Sequence, residues 1–420
     1  MKIFKFGGAS VKDAAAVRNA AHVLEQVGAD NVLVVVSAMG KTTNALEDIV
    51  AAYQNQSDEL AAKIIALEAF HLDIVKELMG AEAPASTQKV KGFFDEMRRF
   101  FEHNKSPNYS FVYDQTVSFG ELISTTIIAD YLQSTGANAQ WLDARSCVKT
   151  DAYYRDANLD WAATQTAIRA AVTSDKLIIS QGFIGSDHHN FTTTLGREGS
   201  DYSAAIFAYA LDAESVTIWK DVPGVLNGDP RHFNDTVLLH QISYREAIEL
   251  AFYGASVIHP KTLQPLQRKE IPLYVRSFVN PQEAGTAVSK GKTLEPHVPC
   301  FILKQKQVLL KLSSLDFSFI VEENIAEIFA LLSRYQMRVE LIQNSAISFS
   351  VVVNNKYDRL EELLQELRAQ FKVTVTKDVQ LFTIRHFDQA AKERVRSYAD
   401  QILLEQRTRE TLQVVLAKGV

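Results

Sequence analysis

Continuous apolar runs recur through the first two thirds of the chain, with helical patterns between them. NVLVVVSAM (31–39), DKLIISQGFIG (175–185) and ESVTIWKDVPG (214–224) are rich in β-branched residues. Such runs mark strands covered on both faces in a parallel sheet. AAAVRNAAHVLEQV (14–27) and DYSAAIFAYALDA (201–213) read as the intervening helices. The alternation predicts an α/β fold, a three-layer sandwich around a mainly parallel sheet, over residues 1–285. Residues 48–105 read as a helical insertion of several segments, either a cap over a site or a subunit surface. A Gly-, Pro- and polar-rich stretch then reads as a linker at 286–303. Beyond it, QVLLKLSSL through KVTVTKDVQLFTIR follows a β-α-β-β-α-β order, which predicts an α+β, ferredoxin-like unit at about 304–376. A second unit, at about 377–420, is short of a full repeat.

Composition narrows the class. The 420 residues allow two or three domains, and 47% hydrophobic with 22% charged residues fits a globular chain. A net charge of −6 argues against a nucleic-acid partner, which calls for a basic excess. No apolar run approaches the roughly 18 residues that span a bilayer, and FGGASVKD interrupts any leader-like segment at once. Cys147 and Cys300 lie far apart without a motif, so a cytoplasmic location and two buried thiols are expected.

Five stretches carry candidate chemistry. The chain opens MKIFKFGGAS, a strand that contains Lys5 and runs into Gly7, Gly8 and Ser10. Paired glycines there are either an ordinary turn or a backbone that a phosphate can approach, with Lys5 as its cation. GKTT (40–43) imitates a P-loop, but Val35 stands where its first glycine belongs. Ser37 and Thr43 still fall at the end of a strand, where parallel sheets collect ligands. TTTLGREGSDYSAA (192–205) leads Arg197, Ser200 and Asp201 into a helix. That is either a well-capped helix start or an acid and a guanidinium placed for a zwitterion. WKDVPGVLNGDPRHF (219–233) sets Lys220, Asp221, Asp229 and Arg231 after a strand, and SFGELIST (118–125) puts Glu121 in the first turn of an apolar helix.

KFGGAS, VSAMGKTTNAL, SFGELIST, QGFIG, TTTLGREGSDYSAA, DVPGVLNGDPR and GASVIHPKTLQPL stand in the order that resembles aspartate kinases of the amino-acid kinase family. The tail resembles their ACT-type regulatory region, its second unit shortened. The resemblance implies phosphoryl transfer from ATP to the side-chain carboxylate of L-aspartate, the first step toward lysine, threonine and methionine. By that resemblance Lys5, Gly7, Gly8 and Asp201 serve catalysis. Ser37, Thr43, Glu121, Arg197 and Ser200 hold aspartate, and Lys5, Gly8, Ser10, Lys220, Asp221, Asp229 and Arg231 hold the nucleotide. Mg2+ is expected on phosphate oxygens and water, with no strong protein ligand. A homodimer through the ACT-like region is expected, without membrane or nucleic-acid partners. At 420 residues, no fused dehydrogenase domain is expected.

Departures accompany the likeness. GREGSD places Glu198 where the family has glycine. Lys220 replaces a small hydroxyl residue, and Ser256 precedes VIHP where lysine is common. Glu323-Asn324 and Glu340 alter the ACT-like segment. Another amino-acid kinase, or a sensor using only its ACT-like tail, are the competing expectations.

Overall fold

The computed structural model describes residues 1–80, 83–172, 176–255, 258–316, 318–398 and 401–417. Ser256 therefore lies outside the described residues. The described residues form two compact units.

The first unit, residues 1–225, 238–248 and 257–296, is built on an eight-stranded sheet. Its strands are β1 (Lys2–Phe6), β2 (Val32–Val36), β3 (Ala139–Leu142), β4 (Leu177–Gln181), β7 (Ser215–Lys220), β8 (Gln241–Ser243), β9 (Leu273–Ser277) and β10 (Thr286–Ser289). β5 (Ile184–Ser186) and β6 (Thr192–Thr194) make a separate antiparallel pair. The order is β3-β4-β2-β1-β7-β9-β10-β8, parallel from β3 through β9, with β10 antiparallel to β9. All five residues of β2 are buried, as its unbroken VLVVV pattern predicts.

Helices Ala14–Val27 and Phe119–Ser134 cover one face, where Val17, Ala20 and Leu24 meet Phe6, Val34, Val36, Ile128 and Leu132. Helix Gly199–Ala210 lies against β1 and β7 with Pro260–Lys269 packed beside it. These are the three layers expected. Helices Leu60–Met79 and Pro84–His103 lie within the stretch 48–105, helix Thr42–Gln54 enters it from before, and Tyr109–Val117 follows it.

The stretch read as a linker is structured at both ends. Thr286 and Val288 are buried in β10, while Ala287 and Ser289 are half-exposed, a period-2 pattern hidden by the surrounding glycine and proline. Its last residues, 300–303, already belong to β11 (Cys300–Ser313) of the second unit.

The second unit, residues 226–237, 249–256 and 297–420, holds a six-stranded sheet ordered β12-β13-β11-β14-β16-β15. β12 is Arg338–Asn344, β13 Ser348–Asn354, β14 Lys372–Arg385, β15 Ile402–Arg407 and β16 Thr411–Leu416. β11 and β14 are single 14-residue strands that serve both halves. Register shifts between Lys304 and Leu309 bend their pairing. Leu309, Leu341 and Val352 of one half then bury against Leu381, Leu404 and Val415 of the other. Helices Glu322–Arg334 and Leu360–Gln370 complete the first half. Among the described residues the second half has only the helix Gln389–Arg396. Phe233, from segment 226–237, enters that core with Phe301, Phe382 and Val395. Asp235 pairs with Arg394 at 2.6 Å. A loop thus brings the apolar surface that a second helix would have supplied. Cys147 and Cys300 are both buried, as expected.

Candidate active site

The carboxyl ends of β1, β2 and β7 open onto a cavity of about 580 Å3. Lys5, Ser37, Thr43, Glu121, Arg197, Ser200, Asp201 and Lys220 all line it, so eight residues drawn from five separated sequence stretches meet in one place. Tyr113, Arg155, Phe183, Gly196, Glu198 and Gly199 complete the wall.

Lys5 takes its position from strand alternation. Phe4 and Phe6 point to the face where Trp219 lies, with ring centroids 5.8 and 6.1 Å away. Lys5 therefore points the other way, toward helix Gly199–Ala210, and its Nζ meets Asp201 Oδ1 at 2.6 Å. Both side chains are buried, so this charge pair is set in a medium where each charge acts strongly. The capped-helix reading of this segment fails on geometry: the residue before the helix is Glu198, and no side chain caps it. Asp201 sits in the first turn and faces Lys5 instead.

The glycines of the opening loop have a steric reason rather than a positive-φ one. Gly7 has φ −77°. A Cβ on Gly8 would stand 2.8 Å from the Ala38 carbonyl oxygen, where the β1 and β2 loops touch and Gly40 N donates to Gly8 O at 3.0 Å. Ser10 is buried, its hydroxyl directed at the Trp219 carbonyl 3.4 Å away.

Glu121 enters from the first turn of Phe119–Ser134, where Gly120 lets the helix close on Ala38: a Cβ there would come within 2.9 Å of the Ala38 side chain. Its Oε1 accepts from Ala38 N at 3.2 Å, while Oε2 is buried without a hydrogen-bond partner among the described residues. Burial pushes its pKa up to about 8, against the opposing pull of the Ala38 N–H and Lys5. An unpaired buried carboxyl aimed at a cavity is matched to a cationic ligand group.

Two glycines hold the Arg197 loop close. A Cβ on Gly182 would lie 2.6 Å from Ser200 Cβ, and one on Gly199 would lie 2.7 Å from the Phe183 ring. Gly182→Ala is therefore expected to push the Ser200–Asp201 turn outward, lowering stability by about 1–3 kcal/mol as overpacking does. Thermal unfolding of the variant checks this; an unchanged midpoint would mean that the turn yields freely.

Asp221 is exposed at the end of β7 and does not line the cavity. Asp229 and Arg231 belong to the second unit, where Arg231 Nε donates to Asp229 Oδ1 at 3.0 Å. Sequence reasoning missed Tyr113, Asp114, Arg155 and Phe183. Asp114 is fully buried and accepts from Thr194 N at 2.8 Å, Thr194 Oγ1 at 2.7 Å and Arg155 N at 3.0 Å. Desolvation raises its pKa to about 6. An aspartate inside the apolar run FVYDQTV was the available signal. Among the described residues no cluster of three His, Cys, Asp or Glu gathers as a metal site, and no helix is long and apolar enough to cross a membrane.

Known proteins resemble the chain across this architecture. A sequence model of the amino acid kinase family matches residues 1–277. The lysine-sensitive aspartokinase 3 of Escherichia coli is 33% identical over 392 residues, covering 91% of this chain and 86% of that one. The chain spans 32% of the bifunctional aspartokinase/homoserine dehydrogenase 2 of Arabidopsis thaliana, at 32% identity over 68% of its own length. The crystal structure of E. coli aspartokinase III with aspartate and ADP superposes with a TM-score of 0.80 at 30% identity, covering 99% of this chain and 96% of that one.

Proposed function

The chain belongs to the amino acid kinase family, and from that premise we propose that it transfers the γ-phosphoryl group of ATP to the side-chain carboxylate of L-aspartate. The products are ADP and 4-phospho-L-aspartate. The observation that carries this reading is the buried Lys5–Asp201 pair at 2.6 Å, set in one cavity with the unpartnered Glu121 carboxyl and Arg197. A cation for a moving phosphoryl group, an acid for an ammonium and a guanidinium for a carboxylate suit a zwitterionic acceptor. Binding of aspartate and ADP by the E. coli relative supports the same assignment.

Phosphoryl transfer is mainly positioning and charge stabilisation. An oxygen of the ionised side-chain carboxylate attacks the γ-phosphorus in line, and the bond to the β,γ-bridging oxygen breaks. No proton leaves the nucleophile, so no general base is required. Lys5 stabilises the charge on the γ-phosphoryl oxygens while Asp201 fixes its ammonium. Glu121 receives the substrate ammonium, Arg197 its α-carboxylate, and Ser37, Thr43 and Ser200 the remaining oxygens. Lys220 faces the nucleotide phosphates. Mg2+, carried on ATP, would be held mainly by phosphate oxygens and water rather than by protein carboxylates, and would neutralise phosphate charge. A coupled assay of ADP release with L-aspartate, N-acetylglutamate and UMP tests the assignment. Aspartate should be turned over far better than either; equal turnover of one of them would overturn it.

We assign dimerisation to the second unit. β12 is an edge strand with Ile342 exposed, Leu315 and Phe319 are exposed in the same unit, and unpaired edges favour pairing with a second copy. Sedimentation should report a dimer. Inhibition by lysine or threonine is expected to be weak. Glu322 and Glu323 occupy the first turn of helix Glu322–Arg334, where like charge disfavours an amino-acid carboxylate. Glu340 is already engaged by Lys304 and by Arg338. Titrating each amino acid into the kinase assay measures this, and half-inhibition by lysine below about 1 mM, the upper end of ordinary small-molecule affinities, would contradict it.

A further inference from the structure

Arg155 stands on the cavity wall in a conformation that side chains avoid. Its φ is +74°, in the left-handed region that only glycine enters without strain. Such a residue persists only where its surroundings over-determine it, and here they do. Its N–H donates to the buried Asp114 carboxylate at 3.0 Å, and that carboxylate is also fastened to Thr194 of β6. Two residues on, Ala157 N donates to the Thr194 carbonyl at 2.9 Å. Between them, Asp156 pairs with Lys261 at 2.9 Å. The guanidinium lies over the Tyr113 ring, 4.4 Å from its centroid, with Tyr109 at 5.4 Å. Stacking immobilises the plane and leaves its N–H edge for a ligand. Among the described residues no carboxylate forms an ion pair with it.

The position relative to Arg197 is fixed by contact. A Cβ on Gly196 would strike the Asp156 carboxylate and stand 3.3 Å from the Arg155 carbonyl oxygen, so the 155–156 turn rests against the loop that carries Arg197. Glu198 also lines this wall, beside Arg197, in a left-handed conformation of its own at φ +53°. Its charge offsets part of the Arg197 field. A second cation at this point restores the attraction for an anionic group.

We infer that Arg155 is a substrate-positioning residue that receives the acceptor's α-carboxylate together with Arg197. The inference rests on aspartate being the acceptor. Glycine accepts φ +74° without strain, so Arg155→Gly removes the side chain while relaxing the backbone. That variant should keep its unfolding temperature and raise KM for aspartate by roughly tenfold, the scale of a charge-assisted hydrogen bond. Its KM for ATP should stay within about twofold and kcat within about threefold, as loss of uniform acceptor binding requires. Arg155→Lys should recover part of the loss. 3-Aminopropanoate, which is aspartate without its α-carboxylate, should inhibit the native enzyme and Arg155→Gly equally. An unchanged KM for aspartate in Arg155→Gly, or a rise in KM for ATP instead, would overturn the role of Arg155 alone. A native protein that releases no ADP with aspartate would overturn the acceptor reading beneath it.

Discussion

A Lys5→Ala variant is expected to lose roughly 10²–10³ in kcat, the cost of removing one preorganised charge donor from a transition state. KM for aspartate should change by less than about threefold, because the charge acts on the phosphoryl group in flight rather than on the bound acceptor. The structural basis is the 2.6 Å pair with Asp201, which holds the largely buried ammonium near the end of β1 on the cavity wall. Removing one partner of a buried pair also costs stability, on the order of 3–5 kcal/mol. Lys5→Arg, which keeps the charge on a bulkier head, separates the two effects. It should unfold near the native temperature yet remain slow, since the guanidinium cannot place its charge where the compact ammonium sits. Steady-state ADP release and thermal unfolding on both variants are the measurements. Near-native turnover in Lys5→Ala would leave Lys5 as a structural partner of Asp201 and nothing more.

The affinity for aspartate should depend on pH through Glu121, with KM falling as pH rises. Burial raises this carboxyl to about 8, so in the free protein at neutral pH it is mostly protonated. The substrate ammonium requires the carboxylate. Binding below about pH 8 must therefore release a proton, and KM should fall by up to about tenfold per pH unit between 6 and 8, then level off. Stability of the free protein should run the opposite way. A carboxyl raised above its unfolded value of about 4.3 contributes stability that is full below that value and is lost as pH climbs through the folded one. Glu121→Gln should abolish the slope of KM, raise KM by roughly tenfold or more, and flatten the loss of stability toward alkaline pH. A KM independent of pH in the native enzyme would mean that another group receives the ammonium.

The sequence by itself determined the layers, the regulatory half and most of the wall of the site. β2 and β7 are continuous β-branched runs, and a run buried on both faces has no other stable place than a covered parallel sheet. Lys5, Thr43, Glu121, Arg197 and Asp201 each sit within a few residues of a strand end or helix start, so local pattern already located them at the edge where such sheets bind ligands. Tertiary structure decided the rest. Whether Asp201 would cap its helix or face Lys5 depended on β1 lying against that helix, a contact across nearly two hundred residues of chain. Thr286–Ser289 reads as linker by composition and becomes a strand only because β8 and β9 flank it. Segment 226–237 reads as turns near a nucleotide, yet Phe233 is committed to the core of the second unit. Arg155 shows no local signal at all: its left-handed backbone is imposed by Asp114, forty-one positions away, and its stacking by Tyr113. Short-range periodicity fixes which face of an element is buried, whereas the partner that meets a polar side chain is chosen by packing between segments distant in sequence, and that choice is where the chemistry of this site resides.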